Sequence, residues 1–63
     1  MNADHEKMQA KYRVWKDLTE AYEAHISAMW AQTAVFDDEF KDLIKRMEVA
    51  HAEFMAASKP FIS

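Results

Sequence analysis

The residues best suited to chemistry are Glu48 and His51, whose Glu-x-x-His spacing puts a carboxylate and an imidazole on one side of a helix, able to share a metal ion. In carboxylate-bridged di-iron bundles, two such motifs combine with a single Glu from each of two other helices. If the chain folds back on itself near residue 35, Thr19 to Glu23 pass beside His51, and Glu23 becomes the missing carboxylate because it shares the heptad position of His51. Glu20 points away from the apolar seam, and Glu48 lies toward the outside. A Glu and a His three apart recur by chance in any charged helix. The expected role of His51 is therefore that of a boundary residue hydrogen-bonded to Glu23 or Thr19, and no metal or other cofactor is expected; the set Glu23, Glu48 and His51 stands as the metal-binding alternative. His25 is expected to cap the edge of the seam, and His5, between Asp4 and Glu6, to be solvated.

Other chemistries lack their parts. Ser27, Ser58 and Ser63 have neither a nucleophile elbow nor an obvious base, and the 63 residues contain no Cys and no Gly, which removes thiolate chemistry, disulfides and phosphate-cradling loops. No enzymatic activity is expected. Lys7, Lys11, Arg13 and Lys16 in the first half and Lys41, Lys45 and Arg46 in the second could form basic patches, and a weak RNA-binding dimer is a further alternative. Acidic residues interleave both groups, however, and the net charge of −3 is opposite to a nucleic-acid footprint. Trp15, Trp30 and Phe61 could enter a membrane interface, but the polar face is not rich in Lys and Arg, and no apolar run reaches the length of a span. No targeting segment is visible, so a cytoplasmic location is expected.

The elements that would position these residues are helical. Helix formers fill most positions from Ala3 to Ser58 without a Pro or Gly among them. Asn2 or Asp4 can cap the first helix, while Pro60 should stop the last one near Ser58 and leave residues 59–63 as a short apolar tail of a single domain spanning residues 1–63. Tyr12, Thr19, Ile26, Thr33, Phe40, Met47 and Phe54 form one heptad column. Met8, Trp15, Tyr22, Met29, Phe36, Leu43 and Ala50 form the column beside it. Large aromatics suit the interior of a bundle better than a two-stranded coiled coil. Small residues recur in a further column, Val14, Ala21, Ala28, Val35, Val49 and Ala56, interrupted by Asp42. Alanine's helix propensity is enough to explain them, although small residues in register also permit close approach of another helix.

The unbroken phase allows one continuous helix of about 80 Å in an oligomeric coiled coil. The favoured fold is instead all-α, an antiparallel hairpin with arms at about 4–33 and 38–57, because Thr33, Val35 and Phe36 are weak helix formers and Asp37 and Asp38 are good N-caps. Two arms cannot cover the aromatic face, so two hairpins are expected to form a homodimeric four-helix bundle. Its interface would comprise Met8, Tyr12, Trp15, Tyr22, Ile26, Met29, Phe36, Phe40, Leu43, Met47 and Phe54. Trp30 and Ile44 broaden the stripe as a possible patch for a protein partner. The expected function is that of a small interaction or regulatory module without catalysis.

Overall fold

Two uninterrupted stretches of helix formers, separated by a segment of β-branched and aromatic residues, become two helices. A computed structural model describes residues 3–62. Among them, α1 (Ala3–Trp30) and α2 (Asp38–Ser58) pack against each other as an antiparallel hairpin, followed by a 3-10 turn at Lys59–Phe61. The hairpin is an elongated body of 46 by 18 by 16 Å, and the continuous-helix alternative does not form. Asn2 and Ser63, the first a candidate cap and the second the end of the apolar tail, lie outside the described residues.

The first arm stops three residues before the expected Thr33, and its end has an identifiable hydrogen-bond pattern. Gln32 takes the left-handed conformation with φ 61°. This lets its N–H donate to the Met29 carbonyl at 3.0 Å while the Thr33 N–H donates to the Ala28 carbonyl at 2.8 Å. These are the two reversed bonds of a Schellman cap, normally built on glycine. The Thr33 hydroxyl also donates to the Ala28 carbonyl, at 3.1 Å. A chain without glycine thus turns by placing a glutamine where Cβ is sterically disfavoured.

The second arm starts at an ordinary acidic cap. Asp37 is extended, and its carboxylate accepts from the Phe40 N–H at 2.9 Å, with Asp38 and Glu39 following at the positive end of the helix dipole. Between the caps, His25 of α1 ties down the loop: its Nε2 lies 2.8 Å from the Val35 carbonyl. A carbonyl only accepts, so Nε2 carries the proton. At the far end, the Ser58 hydroxyl donates to the Phe54 carbonyl at 2.9 Å. Pro60 then sits in the middle of the 3-10 turn, and Phe61 is brought edge-on to His5 with ring centroids 6.1 Å apart. His5, expected to be solvated, remains exposed but has this ring for a neighbour.

Two substitutions test the turn. Gln32→Gly should raise stability by about 0.5–1 kcal/mol, because relief of the left-handed penalty exceeds the entropy glycine adds to the unfolded chain. Asp37→Ala should lower it by about 1 kcal/mol through loss of the cap. Urea unfolding followed by circular dichroism measures both. An unchanged or lowered midpoint for Gln32→Gly would mean that the turn is not where the chain is strained.

Candidate functional site

The surface of the hairpin has two broad faces, and the side chains between its helices decide what each can offer. Phe40 is the only large side chain with almost no exposure, at 2%, among the described residues. Its ring stacks on His25 at 4.1 Å and on Tyr22 at 5.5 Å, and Phe36 meets it edge-on at 5.1 Å. A second aromatic cluster lies further from the turn. Phe54 stacks on Trp15 at 5.4 Å and touches Tyr12 at 5.5 Å, while the His51 ring lies 4.9 Å from Trp15. Ala50, Ala57 and Ser58 complete the buried set.

The columns expected to join two copies therefore make contacts within one chain. Met8, Trp15, Tyr22, Ile26, Met29, Leu43, Met47 and Phe54 are half-buried. Tyr12 and Phe36 remain exposed, at 42% and 55%. Of the expected partner patch, Trp30 stands at the end of α1 with 84% of its surface open, whereas Ile44 is half-buried against the hairpin. The two residues do not share a degree of exposure.

On one face, Tyr12, Trp15, Lys16, Thr19, Glu20 and Glu23 line a shallow depression of about 260 Å³ along α1. Trp15, Met47, Glu48 and His51 line another of similar size across to α2. This face carries Glu23, Glu48 and His51, the residues of the metal alternative. Among the described residues, no three His, Asp or Glu side chains converge to hold an ion. Glu48 and His51 are exposed on α2, and Glu23 is exposed on α1. The imidazole of His51 packs on Trp15 rather than hydrogen-bonding to Glu23 or Thr19; the Thr19 hydroxyl donates to the Trp15 carbonyl one turn back, at 2.8 Å.

The opposite face is different in chemistry. Val14, Leu18, Val49 and Ala50 form an apolar groove of about 430 Å³, bordered by Lys45 and Arg46 toward the turn and by Glu53 toward the other end. Val14 and Val49 are more than half exposed, at 52% and 57%. Both belong to the small-residue column of the sequence. Leu18 was hidden from that pattern because Lys11 and His25 occupy the neighbouring positions of its own heptad column. Across the groove's end, Lys11 and Glu53 form the one ion pair between the helices among the described residues, at 2.9 Å. On α2, Arg46 pairs with Asp42 at 2.9 Å and Lys41 lies 4.0 Å from Asp38, so two of the basic residues considered for phosphate binding sit beside carboxylates one turn back.

Comparison with protein-family models, with curated proteins and with solved structures finds no match. Among the described residues, no helix is long and apolar enough to cross a membrane. The functional reading accordingly rests on the hairpin's own surface.

The distribution of burial predicts where mutations matter. Phe40→Ala should cost about 3–5 kcal/mol, as for other buried aromatic truncations, and leave a chain this small largely unfolded. His51→Ala, at an exposed position with one ring contact, should cost less than about 1 kcal/mol. Thermal melts of the two variants read the contrast directly, and comparable losses would contradict the burial pattern.

Proposed function

We propose that the protein is a small non-enzymatic interaction module that works as a helical homo-oligomer, with a dimer as the simplest form. The observation that carries this reading is the poor closure of the single hairpin. Its accessible surface is 5019 Å², whereas a globular monomer of 7.4 kDa exposes about 4,200 Å². The radius of gyration, 14.4 Å, likewise exceeds the roughly 10.6 Å of a compact domain of this length. The surplus surface, roughly 800 Å², equals one partner's share of a standard protein interface. Part of it is apolar: Val14, Trp30, Val35, Phe36, Val49, Met55 and Ile62 are all large hydrophobic residues left exposed. A second copy is the most economical cover, since a short helical hairpin completes a bundle by pairing with itself.

Solution mass and small-angle scattering, measured as a function of concentration, test the proposal. The expected outcome is a mass of two chains with a longest dimension still near that of one hairpin, and a melting temperature that rises with protein concentration because association stabilises the fold. A folded species with the mass of one chain throughout, at concentrations up to hundreds of micromolar, would refute it.

A further inference from the structure

The two faces of the hairpin are not equally suited to receive a second copy, and the charge pattern along one of them specifies how that copy would lie. The groove of Val14, Leu18, Val49 and Ala50 is apolar along its floor and bipolar along its length, with Lys45 and Arg46 at one end and Glu53 at the other. A groove with this pattern is complementary to itself only when its copy runs the opposite way. Lys45 has no hydrogen-bond or ion-pair partner among the described residues. Glu53 is held by Lys11 yet keeps about half of its side chain open, and a carboxylate has lone pairs for a second cation. On the α1 side, the contacts of Lys11 with Glu53 and of Trp15 with His51 set Val49 level with the stretch between Val14 and Leu18. The middle of the groove on one helix therefore coincides with its middle on the other.

The geometry points to this groove as the contact face for a second copy of the chain, packed antiparallel about a two-fold axis that passes beside Val49. In that arrangement, Val49 meets its own symmetry mate, Val14 meets the partner's Leu18, and the Lys45 end of each groove lies over the partner's Glu53. The area is adequate. A face of 46 by 18 Å covers on the order of 800 Å², the share of each partner in a standard interface. The interface is isologous, as a two-fold dimer requires. Ala21, Ala52 and Ala56 are exposed and lie at helical spacing from Val14 and Val49, so small side chains leave room for the helices to approach. The opposite face offers a poorer fit: Glu20, Glu23 and Glu48 line it with only Lys16 to balance them, so two such faces would oppose like charges.

This assignment rests on the homo-oligomer reading above, and the test separates the two. The natural chain has no cysteine, so a single introduced thiol reports on one contact. Val49→Cys should oxidise to a covalent dimer, because a disulfide needs Cα atoms within about 7 Å of each other, whereas Glu48→Cys, adjacent in sequence but on the other face, should not. Independently, Lys45→Glu should raise the dimer dissociation constant about tenfold by setting like charges against each other, while Lys16→Glu on the opposite face should not weaken association. Circular dichroism confirms that each variant is folded. If the chain is dimeric but Glu48→Cys cross-links and Val49→Cys does not, the groove assignment is overturned and the homo-oligomer stands. If Lys45→Glu dimerises as tightly as the natural chain, the proposed orientation is overturned. A folded monomer at all concentrations would overturn both readings.

Discussion

The packing around Phe40 is the constraint on which the hairpin depends. Its ring is enclosed by Tyr22 and His25 from α1 and by Phe36 from the loop, and its backbone N–H is the donor that Asp37 accepts to start α2. The same residue thus fixes where the second helix begins and which face of the first it meets. His25 doubles the constraint by holding the Val35 carbonyl while its ring covers Phe40. With the loop pinned from both sides, the remaining contacts along the helices fall into place as consequences of antiparallel packing. The cluster of Tyr12, Trp15, His51 and Phe54 repeats the arrangement further out, with thinner cover.

Two helices can meet along only one line, and that geometric limit accounts for the character of the surface. Besides Phe40, only two alanines and a serine are buried among the described residues. Aromatic side chains reach across the line and partly shield one another, but they cannot enclose themselves. The hydrophobic effect scales with area removed from water, so a hairpin with so much apolar surface left over gains further stability from any ordered contact that covers it. The aliphatic groove and the aromatic side of the hairpin differ in how they would use that gain. The groove combines short side chains with charges of opposite sign at its ends, whereas the aromatic side carries mainly carboxylates around rings already engaged with each other.

Much of this architecture was legible in the sequence. The helices, Asp37 as a cap, the stop before Pro60 and the apolar columns all follow from residue type and spacing. The turn was harder to locate because the loop, residues 31–37, is one heptad long. Columns therefore continue from α1 into α2 with no slip of phase, and periodicity cannot distinguish a bend from a straight rod. The end of α1 was obscured for a related reason: the usual glycine marker is replaced by Gln32, whose side chain gives no hint of a left-handed backbone. Nor does a heptad tell which chain covers it. Phe40 and Phe54 share a heptad column and both meet rings of α1, but whether a seam closes within a hairpin or between hairpins depends on the turn. The His25 contact was invisible because its partner is a backbone carbonyl, which every residue possesses.

The pairing of the helices also orders their contacts in time. The His25 to Val35 link spans 10 residues of chain, while the Lys11 to Glu53 link spans 42. Closing a short loop costs less entropy than closing a long one. Folding should accordingly zip outward from the Phe40 cluster, with each completed contact shortening the loop that the next must close. Opening runs in reverse. The end that carries His5 and Phe61 is the first to separate, and amide protons there should exchange with solvent sooner than those flanking the turn. The same hairpin thus carries a gradient of local stability along its 46 Å length, set by one well-packed ring near one end.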